Sequence, residues 1–354
     1  MSHFTTIVFS KTGTELEIEL LMAPYHEFEC TGINDEYVQD VDITEKALKA
    51  YNTRTTEVVV FPDGSFKSKY DEEFYTRSTE LLYNYVFTLP ENCVLETRPT
   101  KDVKSFVDFI KEWYGTKLVP YGQELDISGD HKYGFTLLDP EGNVVKVVKR
   151  TNLNDHWDWY QIGGRWCGYF KPKRNTTSGY SGSKSWATKE GDYDPTYVDS
   201  IKIKDIDMEG MREQAKKEAN ETWDDLEKIL KGRELPSWNE IRKQYGDDLN
   251  AARSFYHDIP VVKELNQHEK FRWSLGDLKE TYGPDRESYI QQKVDSILVP
   301  FSFVDENGWH ERGNMGWWGA VSDEKDKQTW VQTFMDVFNN ADPESYVTVV
   351  DCHI

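Results

Sequence analysis

Apolar positions along the chain alternate in short runs at both ends and in the middle, with helical spacing between them. Phe4-Thr5-Thr6-Ile7-Val8-Phe9 is β-branched and aromatic, a strand by propensity. Pro24 to Gln39 mixes Gly, Asn, aromatics and acids without a period and reads as a long irregular loop. Thr44 to Tyr51 reads as a short helix capped by Thr44. Val58-Val59-Val60-Phe61, a turn at Pro62-Asp63-Gly64-Ser65 and Phe66 make a hairpin pattern. Asp102 to Tyr114 carries Val103, Phe106, Ile110 and Trp113 at steps of three and four, a helix signal. Tyr133–Leu138 and Val144–Val148 flank Pro140-Glu141-Gly142-Asn143, a second hairpin.

Helical patterns follow at Asp207–Leu230, Trp238–Tyr245, Asp248–Tyr256 and Ser274–Tyr282. Strand character returns at Ser296–Val304 and Gly316–Val321. A helix is expected over Lys325–Phe338, with Trp330, Phe334, Val337 and Phe338 on one stripe. The closing apolar run, Tyr346 to Ile354, is expected to be tied into the sheet. The pattern therefore predicts an α+β protein. Its mixed or antiparallel sheet includes both chain ends and the centre of the sequence. The expected core is 1–204 with 286–354, and 205–285 is a helical insertion.

Composition narrows the possibilities. The 354 residues are 38% hydrophobic, which is low, but 14% are aromatic, and aromatic rings bury large areas. Disorder pairs charge with aromatic poverty, so this chain should fold. Its net charge of -21 disfavours non-specific binding to nucleic acid or anionic membrane, because phosphate affinity rests on Lys and Arg. Glu15 to Glu45 holds ten carboxylates and no Lys or Arg, either a solvated acidic face or a mimic of DNA. Cys30, Cys93, Cys167 and Cys352 lie far apart without a CxxC pair, and the opening Met1-Ser2-His3-Phe4 lacks a basic, then apolar, leader. No stretch approaches the ~20 apolar residues of a membrane span. These features lead us to expect a soluble intracellular protein with reduced thiols.

One segment reverses the overall charge. From Lys146 to Lys189 nine Lys and Arg face only Asp155 and Asp158. Within it, Trp157-Asp158-Trp159-Tyr160-Gln161-Ile162-Gly163-Gly164-Arg165-Trp166 joins aromatics, glycines and an arginine. Gly163-Gly164 suits a two-residue hairpin turn, which would pair Ile162 with Arg165 and set Trp159 against Gly168. Such a hairpin either builds core or forms a platform for an anion. In the platform, glycine N–H groups approach the ligand, Arg165 offers a planar fork, and an indole offers a stacking face. Arg165 would alternatively be a buried partner for Asp158. The candidate ligand-binding set is Trp157, Asp158, Tyr160, Gly163, Gly164, Arg165 and Trp166, with Lys171, Lys173 and Arg174 on a following basic loop.

Other chemistry is thinner. His26, Cys30, Cys352 and His353 would make a mixed N/S zinc site if the chain ends met in one sheet, but the spacing lacks CxxC or HxxxH form. No cofactor is otherwise expected. The chain contains no GxxxxGK[ST], GxSxG, HExxH or EF-hand loop, and no catalytic set stands out.

Several strings resemble a family of uncharacterised proteins from bacteriophages and prophage-like regions. They are Ser2-His3-Phe4-Thr5, Ala23–Gly32, Asp35–Asp40, Trp157–Trp166, Arg312–Gly319 and Val349-Val350-Asp351-Cys352-His353-Ile354. The resemblance implies a phage accessory setting in the host bacterial cytoplasm and supplies no mechanism. It favours a protein that acts by binding, inhibiting or sequestering a host defence factor or an anionic, nucleotide-like ligand. The alternatives are a metal-assisted phosphohydrolase or transferase acting on nucleotides or nucleic acid, and an acidic DNA mimic.

Overall fold

The computed structural model describes residues 2–27, 35–77, 85–189, 191, 193–272 and 277–354. The protein is α+β, with a mixed sheet containing the strands nearest both chain ends. The chain divides into two compact units, 1–23 with 157–354, and 24–156.

The first unit is built on a seven-stranded sheet. Its order is Ser183–Lys184, Trp159–Gly164, Tyr346–His353, His3–Ser10, Ser302–Asp305 and Gly308–Glu311, and Ser200–Lys202 also pairs with Tyr346–His353. Tyr346–His353 runs antiparallel to His3–Ser10 in unbroken register, from His3 opposite His353 to Ser10 opposite Tyr346. Ser302–Asp305 lies parallel to His3–Ser10 on its other edge. Alternation then decides the faces. Ile7, Phe303, Val347 and Val349 share one core cluster with Trp330, Phe334 and Phe338 of the helix Lys327–Asn340. That helix starts two residues later than its apolar stripe suggests, where Asp326 accepts from Thr329 N at 2.9 Å. The opposite face carries a buried hydroxyl ladder, with Thr6 to Ser302 and Ser200 to Thr348 each at 2.7 Å.

Helices of the 205–285 stretch belong to this unit and share with the helix Arg286–Asp295 a separate core cluster that includes Trp223, Leu226, Ile241, Tyr256, Leu265 and Tyr289. They run over Met208–Leu230, Trp238–Tyr245, Leu249–Asp258, Pro260–Gln267 and Leu278–Tyr282. Pro260–Gln267 was not expected. There the proline opens a helix, where its fixed φ and missing N–H cost nothing. Gly316–Val321 was expected to be a strand. It is a tight turn over Trp317–Gly319 between two-residue strands, because Trp318 adopts a φ of 63°.

In the second unit, Val38–Asp42, Val144–Asn152, Gly134–Leu138 and Lys117–Val119 form one sheet in that order. Thr55–Val60 pairs with Phe66–Ser68 and Val94–Pro99 in another, and both expected hairpins are present. Ala47, Phe109, Ile110 and Val147 form a core between helices Thr44–Thr53 and Phe106–Tyr114 and the strand Val144–Asn152. The second helix begins at Phe106 rather than Asp102, because Ser105 caps it through Asp108 N. No helix among the described residues is long and apolar enough to cross a membrane.

Candidate functional site

The strand Trp159–Gly164 does not fold back on itself. It pairs antiparallel with Tyr346–His353, Trp159 opposite His353 and Ile162 opposite Val350, and its end lies parallel to Ser183–Lys184. The expected two-residue hairpin is therefore absent. Gly163 (φ 80°) and Gly164 (φ 56°) instead turn the chain at the strand end, and Trp166 N donates to Gly163 O at 2.9 Å. Trp159 stacks on His353, with ring centroids 5.2 Å apart and planes 19° apart, and not against Gly168.

The glycines admit internal carboxylates. A Cβ on Gly163 would sit 2.5 Å from Asp199 Oδ2, and one on Gly164 would overlap Asp351. Asp351 is fully buried, accepting from Arg165 N at 2.9 Å through Oδ2 and lying 2.8 Å from His3 Nδ1 through Oδ1. Asp199, also fully buried, accepts from Gly168 N at 2.5 Å and Gly182 N at 2.8 Å. Burial pushes its pKa up, against the backbone N–H groups of Gly182, Gly168 and Tyr169, which favour the anion. The backbone N–H groups of Arg165 and Gly168 are thus satisfied by the protein's own carboxylates.

Cross-strand register gathers a second layer at the same end of the sheet. His353 Nδ1 lies 2.6 Å from Asp158 Oδ1, and Asp158 N donates to His353 O at 2.9 Å. The rings of His3 and His353 are 4.9 Å apart, edge to face. Ser2 Oγ donates to Gly316 O at 2.6 Å and accepts from Gly319 N at 2.9 Å, which anchors the turn that holds Trp318 84% exposed. Parts of four distant strings, Ser2-His3, Asp158-Trp159, Gly316–Gly319 and Asp351–His353, meet here. No family model, no curated protein and no solved structure matches the chain.

The remaining expected residues separate into committed and free. Trp157 is buried edge-on to Tyr160 at 4.9 Å. Tyr160 is half-buried, its pKa pushed up to about 12 by burial, then by the charges of Glu19, Cys352 and Glu15. Trp166 packs against the sheet core. Lys171 pairs with Asp207 at 3.2 Å, and Lys173 Nζ donates to Lys204 O at 2.6 Å. Arg174 is exposed beside Asn175 (φ 65°). Arg165 is exposed and its guanidinium has no hydrogen bond or ion pair among the described residues, so it is not a buried partner for Asp158. The basic stretch is divided between the two units. Lys146 and Arg150 belong to the 24–156 unit, where Arg150 binds Asp35 and Asp40 at 3.2 and 3.0 Å.

Of the expected zinc set, Cys30 lies outside the described residues and His26 belongs to the 24–156 unit. Cys352 and His353 are consecutive in a strand and point to opposite faces. Cys352 accepts from Thr6 Oγ1 at 3.2 Å, and burial pushes its thiol pKa far up. Sequence reasoning missed Trp186, whose side chain is 95% exposed. It lies two residues past Lys184, the partner of Gly164, and Ser185 N donates to Gly164 O at 3.1 Å. Arg165 and Trp186 thus leave the same end of two parallel strands. Trp186 was hidden in a Ser/Gly-rich loop, where a lone indole carries no periodicity.

Proposed function

We propose that this protein acts by binding, as a phage accessory protein of the host bacterial cytoplasm. It sequesters or inhibits a host defence factor or an anionic, nucleotide-like ligand. One observation carries the reading: Arg165 presents an exposed guanidinium, unpaired among the described residues, from a backbone pinned by buried Asp351, at the strand end that also projects Trp186. A planar cation on a fixed base beside a bare indole suits a planar anion or a protein carboxylate. Exposed indoles also gain most when a partner covers them.

The test is capture from a host lysate by wild type, Arg165→Ala and Trp186→Ala, with mass spectrometry of bound proteins and small molecules. Both variants should melt like wild type and lose the captured species about tenfold or more, the loss expected for one charge-assisted contact. Equal capture by both folded variants would sink the proposal.

A second reading, phosphohydrolysis or phosphoryl transfer, is favoured by the His3–Asp351 and His353–Asp158 pairs. Each imidazole has its Nδ1 tied to a carboxylate, which fixes the ring for acid–base work at Nε2. It predicts turnover in a nucleotide panel that His3→Ala and His353→Ala abolish. A panel without turnover, with and without divalent metal, removes it.

A further inference from the structure

A second concentration of positive charge lies away from the motif, where the helices Arg286–Asp295 and Lys327–Asn340 meet. Lys327 opens the second helix, and the charges of Lys293 and Arg312 reach its ammonium. Among the described residues neither Lys327 nor Lys293 pairs with a carboxylate, although the chain carries a net charge of -21. Lys293 instead lies over the Tyr289 ring at 5.4 Å. Arg312 lies over Phe301 at 5.4 Å, with Nε 2.8 Å from Glu324 Oε1 but without hydrogen-bond alignment. The partner of Lys327 is neutral: oriented to satisfy both neighbours, the Gln292 amide accepts from Lys327 Nζ at 2.8 Å and donates to Thr281 O at 3.2 Å.

Lys327 also lines an open cavity of about 970 Å³, together with Arg212, Gln291, Gln292, Gln328 and Gln332. Its wall also carries carboxylates, which keep their charge while accepting from neutral donors. Asp285 accepts from Ser288 N at 2.8 Å, Asp295 from Gln291 at 2.7 Å and Glu280 from Asn239 at 2.7 Å, and Glu287 is an exposed lining residue. We propose that this cavity binds a small polyanion of the phosphate or pyrophosphate class, held by Lys327 and Arg212, with Lys293 and Arg312 adding field. Partial desolvation, then Lys293 and Arg312, already push the Lys327 pKa below the ordinary lysine value, a repulsion that a bound anion relieves. The volume suits a small phosphate ester, and the site is independent of Arg165.

The experiment is titration calorimetry of the full chain with sodium pyrophosphate and succinate at low salt, on wild type, Lys327→Gln and, as a control at an exposed lysine outside the cavity, Lys217→Gln. Pyrophosphate should bind more tightly than succinate. Lys327→Gln, which alters an exposed side chain, should fold normally and weaken binding about tenfold, while Lys217→Gln binds as wild type. Binding should also raise the titration midpoint of Lys327 Nζ seen by NMR. Absence of binding at millimolar pyrophosphate, equal affinity in folded Lys327→Gln, equal binding of succinate, or the same loss in Lys217→Gln would each overturn the site.

Discussion

At the scale of single residues, two buried aspartates explain why glycines occupy the turn after the motif strand. Asp351 and Asp199 fill the space where side chains at 164 and 163 would stand. Gly164→Ala must strain a φ of 56° and displace Asp351, so it should destabilise the protein by about 1–3 kcal/mol or more in urea denaturation. Arg165→Ala touches no internal partner and should change stability by less than about 0.5 kcal/mol. The raised pKa of Asp199 means that the folded state holds this proton more tightly than the unfolded chain. Its contribution therefore favours folding at low pH and is lost as pH rises from the ordinary aspartate range through the raised value. In Asp199→Asn that loss disappears, so stability should gain more between pH 4 and pH 7 than in wild type, whatever the overall penalty. The aromatic and glycine content of the site was legible, but its partners were not. His3 and Asp351 stand 348 positions apart, and only strand register joins them. Local period carries no information about such register when both strands are nearly uniformly buried.

Elements were legible where one face is buried and one is wet. The stripe Trp330, Phe334 and Phe338 located its helix to within two residues. Gly163-Gly164 misled because a glycine pair that permits a hairpin equally permits a strand end packed on carboxylates. Caps decide several boundaries, and Asp277 serves two helices at once. It accepts from Ser237 Oγ at 2.6 Å and Asn239 N at 2.8 Å at the start of Trp238–Tyr245, and from Lys279 N at 2.9 Å at the start of Leu278–Tyr282. Burial opposes its ionisation, but those donors outweigh burial and leave its pKa below the usual value. The stabilisation is therefore present above the ordinary aspartate pKa and is lost as pH falls through the depressed one. Asp277→Ala should cost about 1–3 kcal/mol and flatten the acid limb of a circular-dichroism unfolding curve.

For the whole molecule, the division at Ala23/Pro24 and His156/Trp157 makes a prediction about fragments. Residues 24–156 contain complete sheets and their own core, so this piece should give a dispersed amide NMR spectrum by itself. Residues 157–354 lack His3–Ser10, which separates Tyr346–His353 from Ser302–Asp305, and should not fold until the 1–23 peptide is added. A collapsed, undispersed 24–156 fragment would contradict the first expectation.

The pairing of His3–Ser10 with strands some three hundred residues downstream also has a consequence during synthesis. Both of its edges stay bare until Ser302 and then Tyr346–His353 have left the ribosome. At about 5–20 residues per second, roughly 15 to 60 s pass before even the first neighbour emerges. Through that interval Ile7, Val8 and Phe9 form a sticky nascent segment, while the intervening 24–156 stretch has time to fold. A chaperone that engages His3–Ser10 during that interval should therefore raise the yield of native protein.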